Sequence, residues 1–130
     1  KLRIDWSELD YFGHVNNVSF FKYIQSSRVH YWDLIGLREY HLNTGIGPML
    51  VSCQCDFKKP IFFPGTVEIH TTLKSIGNTS FSFLHQLQDE TQEIVAEACD
   101  VMVMFNFPKN EKVVISDQWR QKLSNPHIQH

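Results

Sequence analysis

NVSFFKYIQSSRVHYWDLI, residues 17–35, is the stretch on which the fold turns. It reads as one helix. Lys22, Gln25, Ser26 and Asp33 form a narrow polar stripe, while Phe20, Phe21, Tyr23, Ile24, Tyr31, Trp32, Leu34 and Ile35 cover most of the rest. So wide an apolar surface predicts a helix largely enclosed by other structure. Asn16 and Asn17 supply N-cap chemistry at its start. Gly36 supplies a C-terminal stop.

Before this helix, residues 1–6 alternate as a short strand, and 7–16 form a loop. After it, four strands are predicted. In 49–58, Met49, Val51, Cys53, Cys55 and Phe57 alternate with Leu50, Ser52, Gln54, Asp56 and Lys58. In 66–75, Val67, Ile69, Thr71 and Leu73 share a face, and in 80–88 Phe81, Phe83 and Leu87 do. Residues 94–107 are apolar on both sides, as befits a central strand. Pro60, Pro64-Gly65, Gly77-Asn78 and Asp89-Glu90 supply the breaks. Residues 116–123 read as a short terminal helix. Short turns make consecutive strands antiparallel, so the four strands are expected as a meander. Its apolar face must be covered, and the long helix is the only candidate. The prediction is an α+β fold, a five-stranded antiparallel sheet wrapped around one long central helix, with residues 1–130 as one domain.

The composition is that of a globular chain: 130 residues, 42% hydrophobic, with ten Phe and three Trp. A net charge of −2 gives no support for nucleic-acid binding. Cys53, Cys55 and Cys99 form no disulfide framework. They read as reduced thiols, which favours the cytoplasm. No apolar run reaches the roughly 18 residues of a membrane span. No signal-peptide pattern is visible, although the chain begins at Lys1 rather than Met, which leaves an upstream segment open.

Residues 10–17, Asp10-Tyr11-Phe12-Gly13-His14-Val15-Asn16-Asn17, carry the chemistry. A carboxylate precedes a glycine turn, a His and two Asn, and the helix begins almost at once. This order can place a base and the free N–H groups of a helix start beside one reacting carbonyl, the geometry that acyl transfer needs. Glu8, Asp10 and His14 match no defined metal site, so no metal is expected. No Gly-x-Ser-x-Gly elbow, phosphate-binding loop or dinucleotide fingerprint occurs, which excludes those classes. Lys58 and Lys59, with Lys74, are candidates for phosphate contacts as point charges, or else a solvated strand end. His85 falls on the apolar face of its strand and reads as a satisfied core histidine or a pocket-lining one. Arg28, within the helix, is expected to pair with a carboxylate or an interface group.

The segment Asp10-x-x-x-His14-Val15-Asn16-Asn17, followed by Phe20-Phe21-x-Tyr23, is similar to the opening of bacterial long-chain acyl-CoA thioesterases. The Pro60-x-x-x-Pro64-Gly65-x-Val67-x-Ile69 stretch and the Gly77-x-x-Ser80 turn fit as well. Over residues 2–108 the chain resembles the hotdog-fold thioesterases related to 4-hydroxybenzoyl-CoA thioesterase. That resemblance implies hydrolysis of an acyl-CoA to a carboxylic acid and free coenzyme A. It implies Asp10 as base or nucleophile and the Asn17 backbone N–H as oxyanion donor. His14 is a candidate for a direct role. Gly13, Val15, Asn16, Lys58, Lys59 and Ser80 are candidate substrate-binding residues. No cofactor is implied beyond the coenzyme A of the substrate. Homodimers or homotetramers are implied, with 49–58 pairing across the dimer and residues near 57–63 completing the partner's site.

The resemblance extends to plant acyl-ACP thioesterases, but these carry an Asn where this chain has Phe12, which favours the simpler Asp-plus-backbone arrangement. An enoyl-CoA hydratase would need a longer signature that is missing. An acyl-ACP substrate, or a non-catalytic acyl-CoA sensor, remains as an alternative function on the same fold.

Overall fold

The structure, a computed structural model, describes residues 2–4, 17–62 and 65–125. In chain order it contains β1 (Leu2–Arg3), α1 (Asn17–Leu34), α2 (Leu37–Thr44), β2 (Ile46–Phe57), β3 (Thr66–Ile76), β4 (Ser80–Gln88), β5 (Ile94–Asn106), β6 (Glu111–Lys112) and α3 (Asp117–Ser124). The strands form one antiparallel sheet in the order β1-β3-β4-β5-β2, and the two-residue β6 pairs with β5 beside that path. The helix α1 packs on one face of this sheet, so the predicted arrangement of sheet around helix holds.

Three expectations change. The four strands are not one meander. Strands β3, β4 and β5 follow one another through short turns, but β2 lies beyond β5 at the sheet edge. The connection after Phe57 carries Pro60 and Pro64 and is too long for a hairpin turn, so adjacency in sequence does not impose pairing. Next, α2 falls in the stretch between Gly36 and residue 49, for which no element was predicted. Its ends are both glycines with positive φ, Gly36 at +79° and Gly45 at +76°. Gly36 therefore ends α1 as predicted and also opens a second helix. Lastly, α1 is enclosed on one face only. Ser19, Phe20, Tyr23, Ile24, Arg28 and Tyr31 are buried at three- and four-residue spacings, whereas Val18 is 71% exposed and Phe21 38%.

The register of β2 also departs from simple alternation. Leu50 lies opposite Met102 and Ser52 opposite Val101, so Val51 is the extra residue of a bulge. Leu50 before the bulge, and Cys53, Cys55 and Phe57 after it, lie opposite Met102, Asp100, Ala98 and Ala96, all buried on β5. Met49 is thereby moved to the other face, opposite Val103.

The apolar core has two parts. One joins Phe20, Tyr23 and Ile24 of α1 to Ile4, Ile61, Val67, Leu87, Ala96 and Ala98. The other joins Tyr31 and Ile35 to Leu37, Phe81, Phe83, Met102, Met104 and the Ile115–Leu123 segment. Each fully buried Ile, Leu or Phe contributes roughly 2 kcal/mol from burial alone. The helix α3, expected over 116–123, forms over Asp117–Ser124 and closes the second part. Ser116 caps it, its Oγ accepting from Trp119 N–H at 3.3 Å, and Tyr31 O–H donates to the Leu123 carbonyl at 2.5 Å.

Candidate active site

Asn17 is the first residue of α1 and is exposed. The opening N–H groups of a helix have no intrahelical acceptor, and they lie at the positive end of its dipole. This end of α1 is braced by the last residue of β2. The Phe57 ring meets Phe20 edge-on at 5.1 Å between centroids and Phe21 at 6.2 Å. The sequence candidates Asp10, Gly13, His14, Val15 and Asn16 lie outside the described residues.

Lys58 and Lys59 follow Phe57 directly, so they stand at the same end of the sheet as the start of α1. Their backbone N–H groups both donate to the Val95 carbonyl, at 2.8 and 3.1 Å. Their side chains are already engaged. Lys58 Nζ lies 3.2 Å from Glu97 Oε1, and Lys59 pairs with Glu93. The hydrogen bond to Glu93 raises the Lys59 ammonium above its ordinary range, and the Lys58 hydrogen bond lowers the Glu97 carboxyl. Lys74 is engaged elsewhere, its Nζ 3.6 Å from Cys99 Sγ. Beside the two lysines, a cavity of about 200 Å³ lies between Ile4, the Pro60–Phe62 stretch, Gly65–Thr66 and the Asp89–Thr91 turn.

Ser80 is placed differently. It opens β4, after a turn in which Gly77 N–H donates to its carbonyl at 2.7 Å. It lies opposite Val103, which lies opposite Met49 on β2, eight residues along the strand from Phe57. At about 3.3 Å per residue this is the far end of the sheet from Asn17. One chain therefore gathers Asn17, Lys58 and Lys59 at one end and leaves Ser80 at the other.

Between the two parts of the core runs a polar seam that the sequence showed only in part. Asp100 and His85 are both 0% exposed. Asp100 Oδ2 accepts from Arg28 Nε at 2.7 Å and is 2.6 Å from His85 Nε2. His85 Nδ1 is 2.7 Å from Thr71 Oγ1, which is 2.5 Å from Ser27 Oγ. Burial alone would push the Asp100 carboxyl up, but hydrogen bonds from His85 and Arg28, with the Cys53 thiol beside it, hold it down at about 2. Cys53 is pushed up to about 12, by burial first and then by Asp100. Burial likewise takes Cys55 to about 11. Such thiols carry almost no thiolate at neutral pH and are poor nucleophiles. The three cysteines are free. The core reading of His85 and the carboxylate expected for Arg28 are both observed. Asp100 was the missed residue. The available signal was a lone acid in phase with Ala96, Ala98, Met102 and Met104 on an otherwise apolar strand face.

Among the described residues, no cluster of His, Cys, Asp or Glu is placed to hold a metal ion, and no helix is long and apolar enough to cross a membrane.

Known proteins match this chain in sequence and in fold. The uncharacterized protein YsmA of Bacillus subtilis is 26% identical over 124 residues, 95% of this chain and 82% of its own length. The hypothetical protein AQ1494 of Aquifex aeolicus superposes with a TM-score of 0.84 at 24% identity, over 94% of this chain and 95% of that one. Slr0204 of Synechocystis, a 1,4-dihydroxy-2-naphthoyl-CoA thioesterase, superposes with a TM-score of 0.81 at 15% identity, over 93% and 90%. At these identities the two superpositions speak for the fold. The thioesterase-like superfamily model matches residues 4–123, nearly the whole chain. With an antiparallel sheet curled about one long helix, and that helix's first turn exposed at Asn17, the chain belongs to the thioesterase-like superfamily and is a hotdog-fold thioester hydrolase.

Proposed function

We propose that the protein hydrolyses the thioester of an acyl-CoA to a carboxylic acid and free coenzyme A. Asp10 acts as base or nucleophile on the carbonyl carbon. In the base route, Asp10 takes a proton as the water oxygen bonds to that carbon. The carbonyl oxygen becomes an oxyanion held by the Asn17 N–H, and the C–S bond then breaks to release the thiol, which regains a proton. Charge develops on that oxygen in the transition state, where a fixed N–H donor at a helix start is most effective. His14 orients the attacking water or the thioester, and Gly13, Val15 and Asn16 contribute to substrate binding. The single observation that carries this reading is the start of α1 at an exposed Asn17, seven residues after Asp10.

Lys58 and Lys59 are proposed to meet the phosphates of coenzyme A. Their exposed ion pairs with Glu97 and Glu93 are worth little, so a phosphate displaces them readily. Two copies pair through the outer edge of β2, as a dimer or a dimer of dimers. Antiparallel pairing about a two-fold axis brings the Met49 end of one β2 toward the Phe57 end of the other. The partner's Ser80, at the Met49 end of its sheet, is thereby carried toward Asn17, in keeping with a place beside the pantetheine arm. The reaction needs no cofactor beyond the substrate's coenzyme A, and a cytoplasmic setting suits its three free thiols.

The test is thiol release from a panel of aliphatic and aromatic acyl-CoAs, with the matching acyl carrier proteins alongside. Asp10→Ala should lower turnover by about 10²–10⁴-fold while the protein stays folded. No turnover on any thioester, with acyl-CoA bound equally by both proteins, would sink the reading and leave a sensor.

A further inference from the structure

The polar seam under α1 takes no part in the chemistry proposed above, yet it reaches the surface. Ser27, at its outer end, lines a cavity of about 290 Å³ with Leu2, Ser26, His30 and Ile69. From this wall the contacts run inward without a gap: Ser27 Oγ to Thr71 Oγ1 at 2.5 Å, Thr71 Oγ1 to His85 Nδ1 at 2.7 Å, and His85 Nε2 to Asp100 Oδ2 at 2.6 Å. We propose that Ser27, Thr71 and His85 form a proton relay from this cavity to the buried Asp100–Arg28 pair, so that His85 gains and loses a proton while the fold stays closed.

The direction of each bond follows from the chemistry of the groups. An ionised carboxylate only accepts, so His85 Nε2 carries a proton and donates to Asp100. In a neutral imidazole the second nitrogen is then a bare acceptor, so Thr71 O–H donates to Nδ1. With that proton committed, Ser27 O–H donates to Thr71 Oγ1. Ser27 thus presents lone pairs to the cavity, and every proton points inward. A proton arriving at Ser27 Oγ displaces the Ser27 proton onto Thr71, which passes its own to Nδ1. One proton enters, no heavy-atom bond forms or breaks, and the outer half of the chain reverses. Ser27 then presents a donor to the cavity. One hydroxyl on the cavity wall changes sign with the charge on a histidine two bonds deeper.

The surroundings leave His85 little other access. It is 0% exposed, and the Phe83 ring stands edge-on to it at 6.1 Å. The charged groups packed around it are Asp100 from β5 and Arg28 from α1, with the Cys53 thiol of β2 beyond them. β3 contributes the uncharged Thr71, and His30 lines the cavity at the outer end of the chain. With neutral His85, Arg28 and Asp100 balance. With His85 protonated, one net positive charge sits under α1.

The test is ring-nitrogen NMR of His85 in the intact protein, which reads tautomer and proton-exchange rate whether or not any thioester is hydrolysed. At alkaline pH the Nε2–H tautomer is expected. Near the midpoint of its titration, exchange between neutral and charged forms should slow at least tenfold in Ser27→Ala and Thr71→Val. Thr71→Ser, which keeps the hydroxyl, should match the parent. Should Thr71→Val not fold, Ser27→Ala decides alone. An Nδ1–H tautomer, a His85 that never titrates in the folded protein, or a rate unchanged by Ser27→Ala would overturn the relay.

Discussion

Asp100 is a carboxylate that burial opposes and two nitrogen donors rescue. Its carboxyl sits at about 2 in the folded protein against 3.8 for the free group. A depressed folded value means that the carboxylate contributes stability above the unfolded value, and that this contribution drains away as pH falls from about 4 toward 2. The gap corresponds to about 2 kcal/mol. Urea denaturation at pH 5 and at pH 2.5 should show most of that loss in the parent protein. Asp100→Asn should start from lower stability, because Arg28 is left buried without its counter-charge. It should then fall less steeply over the same interval. An equally steep acid limb in both proteins would place the sensitive carboxylate elsewhere.

At the scale of elements, the two glycines around α2 offer a controlled comparison. Both have positive φ, where a side chain costs about 1–2 kcal/mol. A methyl at Gly36 would meet nothing within 4 Å, whereas one at Gly45 would come within 2.6 Å of the Pro108 ring. Gly36→Ala should therefore cost about 1 kcal/mol by thermal or chemical unfolding, and Gly45→Ala distinctly more. Equal costs would mean that Pro108 yields freely. These elements also show what the sequence could carry. Hydrophobic period gave α1, β3 and β4, and a run apolar on both sides gave β5, all with nearly correct limits, because each has surface that must be buried. It did not give α2, whose residues are mostly polar and whose only strong signals are the flanking glycines. Nor did it give the phase of β2, because one inserted residue at Val51 reverses the faces and leaves no trace in residue type. The seam was half legible for a similar reason: a buried His or Arg announces that a partner exists, but only three-dimensional packing says which.

The whole molecule has a long unpaired border. β5 covers one side of the twelve-residue β2, and among the described residues no strand lies along the other. Unpaired strand edges recruit further strands, and Val51 on this one is 51% exposed. Light scattering after gel filtration should find the parent protein as a dimer or a dimer of dimers, and Val51→Lys shifted toward monomer. If subunits complete one another's sites, the same variant loses thioester hydrolysis while its helical content persists. A monomeric parent with full activity would refute assembly through this border. The order of strands that creates it was beyond the sequence, since it depends on where the chain returns after Pro60 rather than on any local pattern.

The seam that divides the core has a consequence for how the protein changes over time. Its interior consists of two rooms with a wired wall between them, not one hall. Phe20, Leu87 and Ala98 furnish one, and Phe83, Met102 and Trp119 the other. A resized side chain in one room is accommodated by its own occupants, and energetic effects in separate rooms should add. The room next to Asn17 is thus open to remodelling for a new acyl group, one residue at a time, while the other keeps the chain folded.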